Sequence, residues 1–135
     1  MKILIMGLPG SGKTTLAKEL NLRLHSKWYN ADDIRKSEND WDFSLEGRIR
    51  QAVRMKTLAD DSQRYGFKYV ICDFVAPTEE IRNIFSADIV IWMDTIEQGR
   101  FKDTNSIFEP PIKYDYRLFK YATNEDINRI IEELC

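Results

Sequence analysis

The sequence predicts an α/β fold of three layers, with a mostly parallel sheet of about five strands and helices on both of its faces. Two observations predict it. Short apolar runs suited to buried strands alternate along the chain with segments whose apolar residues recur at helical spacing. The first such run, Lys2 to Met6, also passes straight through a glycine-rich turn into the first helical stripe, as a strand–loop–helix unit does. At 135 residues, without repeats or a Pro/Gly-rich linker, the chain is expected to be one domain, 1–135.

Composition narrows the function classes. A formal net charge of −2 argues against a nucleic-acid coat or a membrane-surface protein, leaving only a local basic face open. No run is long enough to span a bilayer. The N-terminus enters the first strand at once, so no secretory signal is expected. Cys72 lies inside an apolar run and Cys135 is the last residue, so no disulfide is expected, and the chain reads as intracellular, in the cytoplasm.

After Lys2-Ile3-Leu4-Ile5-Met6, the stretch Gly7-Leu8-Pro9-Gly10-Ser11-Gly12-Lys13-Thr14 fits G-x-x-x-x-G-K-[ST], the loop that wraps a nucleotide's phosphates. Its glycines let successive N–H groups turn inward on phosphate oxygens. Lys13 would reach the β- and γ-phosphates, the Thr14 hydroxyl would ligate Mg²⁺, and the following helix would add its positive end. The fold class is therefore a three-layer P-loop NTPase, nucleotide-kinase-like, with ATP and Mg²⁺ as expected cofactors. Leu16, Ala17, Leu20 and Leu24 form the stripe of that first helix, which ends at His25. Lys27-Trp28-Tyr29 is expected as the second strand, leading into Asn30-Ala31-Asp32-Asp33-Ile34-Arg35, with polar Lys36 to Asp42 as a loop.

Ser44 is expected to cap a long helix bearing Leu45, Ile49, Ala52, Met55 or Lys56, and Ala59, ended by Tyr65-Gly66. Lys68 to Val75 reads as a third strand, and Thr78 as the cap of a short helix with Glu79 and Glu80 in its first turn. Asp88 to Met93 is a fourth strand, Thr95 to Pro111 an irregular stretch, and Tyr116 to Lys120 a fifth strand. Thr123 then caps a helix with Ile127, Ile130, Ile131 and Leu134 on one side. Ligands of such sheets bind beyond the carboxyl ends of the strands, which gathers the glycine loop, Asp32, Asp73 and the loop after Asp94 on one rim.

Phosphoryl transfer needs positioning, charge neutralisation and a base for the acceptor. Asp32 and Asp33 are the base candidates; one is expected to cap a helix near Ile34 while the other faces the site. Arg35 could hold an anionic acceptor. Asp73, ending its strand, suits an acid that orders Mg²⁺ through water, or a loop acid with no such duty. Arg48, Gln51 and Met55 share a helix face set partly opposite the apolar stripe. Arg48 could clamp a phosphate or sulfate, whereas Arg50, Arg54 and Lys56 read as solvated. Phe43, Phe74 and Phe101 could stack on a base or simply fill core.

These residues resemble those of the adenylylsulfate (APS) kinases in four blocks that cover most of the chain. The first is the loop Gly7 to Thr15, implying Gly7, Gly10, Ser11, Gly12, Lys13, Thr14 and Thr15 as nucleotide-binding residues. In the second, Asn30 to Arg35 resembles D-G-D-N-[VI]-R, which implies Asp32 as catalytic acid/base, beside Lys13, and Arg35 as a ligand of the APS phosphate-sulfate. In the third, the stretch from Phe43 resembles G-F-S-x-x-D-R-x-E-N-I-R-R. That implies Phe43 stacking on the APS adenine, with Arg48 and Gln51 at the arginine and asparagine. Phe74-Val75-Ala76-Pro77 resembles F-I-S-P, whose backbone lines the APS site. In the fourth, Asp94-Thr95 and Phe101 to Pro111 resemble D-T-P-x-E and F-T-G-I-D-x-P-Y-E-x-P, making Phe101 a second stacking ring.

The resemblance implies 3′-phosphorylation of APS by ATP with a small nucleotide acceptor as partner; the composition adds the expectation of no membrane partner, and a homodimer stays open. It also has a departure: the family's basic lid is reduced here to Ile96 to Arg100, leaving Arg100 and Lys102 as the local cations. Asn30 to Arg35 and Asp73 fit N-R-D-D-x-R and the strand-ending acid of 5′-hydroxyl polynucleotide kinases as well, and only under that alternative is nucleic acid expected. A nucleotide-binding switch without an acceptor is the non-enzymatic alternative.

Overall fold

The computed structural model describes residues 1–99 and 101–135. Five strands, β1 (Lys2–Met6), β2 (Lys27–Asn30), β3 (Val70–Asp73), β4 (Ile89–Met93) and β5 (Tyr116–Leu118), form one sheet in the order β2-β3-β1-β4-β5. All four pairings are parallel. Six helices connect and follow them: α1 (Lys13–Leu24), α2 (Ala31–Glu38), α3 (Leu45–Tyr65), α4 (Glu79–Phe85), α5 (Lys102–Ile107) and α6 (Asn124–Leu134).

Side chains on a strand alternate between faces, and here both faces are covered. Ile3, Ile5, Ile71, Ile91 and Met93 pack with Leu16, Ala17 and Leu20 of α1 and Ile127 and Ile130 of α6. Leu4, Met6, Val70, Cys72 and Trp92 pack with Ala52, Met55 and Ala59 of α3 and Ile81 and Phe85 of α4. The central β1 is buried along its whole length, which is why it reads as an unbroken apolar run.

The caps at Ser44, Thr78 and Thr123 form as expected, accepting from the N–H groups of Gly47, Ile81 and Asp126. Other expectations are corrected. Lys36 to Asp42 is not all loop, because α2 continues to Glu38 and closes on a left-handed Asn39 whose N–H returns to the Arg35 and Lys36 carbonyls. Its apolar signal is absent because Arg35 is the one residue it buries. Neither Asp32 nor Asp33 caps that helix: Asn30 does, and both acids sit in the first turn. Within the stretch Thr95 to Pro111 lies α5, too short for a periodic pattern to show.

On α3, Arg48, Gln51 and Met55 lie on the buried side with Ala52 and Ala59 rather than partly opposite it. Arg50 is exposed, as expected, and Arg54 half-buried, but both are also ion-paired. Arg50 Nε and Arg54 Nη2 reach an Asp40 carboxylate oxygen at 2.8 and 2.5 Å, and Arg50 Nη2 reaches Asp42 at 3.1 Å. These bonds hold the Asp40 carboxyl far below the usual carboxylate range. A depressed folded pKa means stability that is present above the unfolded value of about 4 and is lost as pH falls toward the folded one. Asp40→Asn should therefore lower the urea midpoint at pH 7 and narrow the difference between midpoints at pH 7 and pH 3. An unchanged difference would show the cluster to be inert.

Candidate active site

The turn between β1 and α1 sets one wall of the site. Gly7 and Gly12 have φ of 150° and 98°, and added Cβ atoms there would lie 2.6 Å from the Met93 carbonyl oxygen and 2.4 Å from the Tyr121 ring. Only glycine meets both the dihedral and the contact. Lys13 is buried, its Nζ donating to the Leu8 carbonyl at 3.1 Å, so the ammonium is folded back over its own loop. Ser11 Oγ is buried with no hydrogen-bond partner among the described residues. A buried polar group left unpaired costs about 1–3 kcal/mol. An orphan hydroxyl, a lysine and the N-terminus of α1 in one loop fit the phosphates of a nucleotide.

Beside it, at the carboxyl end of β3, Asp73 is 2% exposed. One oxygen accepts from Trp28 Nε1 at 2.6 Å; the other accepts from Asn30 Nδ2 at 3.0 Å and Thr14 Oγ1 at 3.4 Å. Burial raises the Asp73 pKa, opposed by these donors and by Lys13. Asn30 Nδ2 is also 3.2 Å from Thr14 Oγ1, and Asn30 Oδ1 accepts from Asp33 N. A single carboxamide thus ties the first turn of α2 to the Thr14–Asp73 pair. Among the described residues no three His, Cys, Asp or Glu side chains gather to hold a metal. Thr14 and Asp73 fit Mg²⁺ only as partial ligands, the remainder coming from phosphates and water.

A cavity of about 810 Å³ opens over this loop. Gly10, Gly12, Lys13, Thr14, Thr15 and Asp73 line it, and so do Asp32, Phe43, Arg48, Phe74, Val75 and Phe101. The sequence did not single out Trp41, Asp103, Thr104 and Tyr121, which also line it. Tyr121 donates to the Gly10 carbonyl at 2.9 Å, laying its ring across the glycine loop from the far side of β5.

Gly7, Ser11, Arg35, Gln51, Ala76, Lys102 and Asp33 are not part of the lining. Arg35 is buried; its Nη1 donates to the Asp40 and Asp42 carbonyls at 3.0 and 3.1 Å while its guanidinium lies 4.3 Å from the Phe43 ring centre. Gln51 donates to the Ala31 carbonyl and accepts from Arg54. Ala76 is buried in a left-handed conformation (φ 46°), its carbonyl taken by Arg82 Nε, and Lys102 is exposed at the start of α5. Arg100 lies outside the described residues. Arg48, which does line the cavity, donates from Nε to the Phe43 carbonyl and from Nη2 to Thr104, and burial lowers its pKa.

The short segment after β4 packs onto the glycine loop. Thr95 Oγ1 donates to the Ser11 carbonyl at 2.8 Å, and a Cβ on Gly99 would lie 3.2 Å from Pro9. Asn105 of α5 bonds both the N–H and the carbonyl of Gly99, closing that turn. Chemically the arrangement offers a phosphate cradle, a partial cation site and an acid, Asp32, on one cavity whose other half is aromatic.

Residues 1–97 match the family model described as adenylylsulphate kinase. A probable adenylyl-sulfate kinase of Aeropyrum pernix is 35% identical over 59% of this chain, a match spanning 46% of that protein's length. A shikimate kinase of Colwellia psychrerythraea is 30% identical over 98% of this chain and 76% of its own. Among solved structures, a Mycobacterium tuberculosis APS kinase in complex with AMPPNP and APS superposes with a TM-score of 0.82 at 21% identity, covering 98% of this chain and 96% of that one. The chain is a P-loop kinase that belongs to the adenylylsulphate kinase family and is related to the shikimate kinases as well.

Proposed function

We propose that the protein transfers the γ-phosphoryl group of ATP to the 3′-hydroxyl of APS, giving PAPS and ADP. The observation that carries this reading is the acceptor half of the cavity, lined by the half-exposed rings of Trp41, Phe43 and Phe101 together with Arg48, while Phe74 contributes from the core beneath. A purine base presents flat apolar faces that such rings cover well, whereas the hydroxylated ring of shikimate offers none. The family model supports the same acceptor.

In this reading the glycine loop and Lys13 hold the triphosphate. Thr14 and Asp73 would hold the cation, which when bound would neutralise phosphate charge. Asp32 accepts the proton of the acceptor hydroxyl, and Arg48 balances charge on the acceptor's anionic group. Asn30 and Trp28 fix the Asp73 carboxylate so that it need not reorganise. Arg35 acts through the loop it ties down rather than on the substrate.

The test is ADP release from Mg-ATP with APS, with shikimate, with a 5′-hydroxyl oligonucleotide, and with no acceptor. Turnover with APS at least tenfold above the others is expected. Turnover with shikimate or the oligonucleotide alone would replace the acceptor. Nucleotide binding without stimulation by any acceptor would leave a switch.

A further inference from the structure

We propose that Trp41 is a specificity-determining residue of the acceptor subsite, forming with Phe43 the aromatic wall against which a planar nucleobase packs. The inference deepens the acceptor reading above and rests on it for the identity of the base-bearing substrate.

Trp41 is half exposed and lines the cavity. Among the described residues its ring stacks on no other ring and its indole N–H has no partner. The residues on either side of it are, by contrast, tied down from several directions. Arg35 takes both the Asp40 and the Asp42 carbonyls, and Arg50 and Arg54 take the Asp40 carboxylate. Asp42 N donates to Asp40 Oδ1 at 3.1 Å, and Asp42 Oδ1 accepts from Ser44 N at 2.9 Å. The backbone of Asp42 lies so close to α3 that a Cβ on Gly47 would come within 2.2 Å of its carbonyl oxygen.

Three arginines and a helical glycine therefore immobilise a loop whose central side chain makes none of these bonds itself. Fixing the backbone beneath a large apolar ring at a cavity wall reduces the ordering entropy lost when a ligand covers that ring. Tryptophan supplies the largest flat face of any side chain for that purpose. Carbonyls two residues apart turning to one guanidinium place Asp40 and Asp42 on a common side, and Trp41 and Phe43 both reach the cavity. Phe43 is backed by the Arg35 guanidinium at 4.3 Å, so its support is as fixed as that of Trp41.

The experiment uses the whole chain saturated with Mg-AMPPNP, so that an added nucleotide cannot occupy the donor side. APS, AMP and shikimate are titrated in turn while tryptophan emission is followed in the wild type and in Trp41→Phe, which keeps Trp28 and Trp92 as reporters. APS and AMP should quench emission in the wild type, shikimate should not, and the quench should disappear in Trp41→Phe. Stacking of a base on an aromatic side chain corresponds to about 5- to 150-fold in affinity. Trp41→Ala should raise KM for APS within that range and leave KM for ATP unchanged, and Trp41→Phe should recover most of the loss.

A wild-type quench that persists in Trp41→Phe, or an unchanged KM for APS in Trp41→Ala, overturns the assignment. So does the absence of quenching by either nucleotide, whatever the turnover assay gives. A Trp41-dependent quench without turnover of APS would instead remove the acceptor reading and keep the aromatic wall.

Discussion

Lys13→Ala is expected to lower kcat by at least about 10²- to 10³-fold, the loss typical of removing one preorganised charge-stabilising donor. The expectation follows from where the ammonium sits. Lys13 is buried at the first position of α1 and its Nζ is 3.1 Å from the Leu8 carbonyl, inside the loop that would wrap the phosphates. To meet a phosphate oxygen the ammonium would exchange the Leu8 carbonyl for it within the same loop, bringing a positive charge to the transferring group. Lys13→Arg should recover only part of the rate, because a forked guanidinium does not fit a space shaped for a compact ammonium. Steady-state ADP release with the active acceptor is the measurement, with thermal unfolding as the check that the variant is folded. A folded Lys13→Ala protein retaining a third of the wild-type rate would mean that the loop does not hold the reacting phosphate.

The donor half was legible in the sequence because its constraints leave marks on residue type. A φ of 98° with a ring packed against the Cα admits glycine alone, so Gly12 appears in the sequence as Gly. The sheet was legible for a related reason, since parallel strands covered on both faces read as continuous apolar runs. Where contacts join distant parts of the chain, nothing local records them. Trp28 meets Asp73 across 45 residues and Tyr121 meets Gly10 across 111. Asn30 leaves only a weak signal, a capping residue three positions before an acid, beside two aspartates that are equally good caps by residue type. The arginines were the hardest to read. Arg35, Arg50 and Arg54 carry the same side chain as Arg48, yet they tie down the 40–42 loop while Arg48 faces the cavity, and only the packing of α2 against α3 distinguishes them.

Asp32→Asn is the second large effect expected, about 10²- to 10⁴-fold in kcat, the range of a positioned general base, with KM for ATP unchanged. Asp33→Asn is the informative partner. Both acids occupy the first turn of α2, both would interact with the same helix dipole, and neither caps the helix. They differ in that Asp32 lines the cavity and Asp33 does not. Loss of either carboxylate costs the helix a similar favourable interaction, about 0.3–1 kcal/mol, so stability should fall alike in the two variants. Activity should not: Asp33→Asn is expected to stay within about threefold of wild type, since a group outside the cavity meets no reacting atom. The effect at Asp32 should also be smaller than a full loss of turnover. In a loose phosphoryl-transfer transition state the acceptor hydroxyl gives up its proton late, and the base contributes mainly orientation. Equal loss of activity in both variants would reduce the pair to a shared electrostatic effect of the helix end. A selective loss in Asp33→Asn would move the base by one residue and mean that α2 turns when substrate binds.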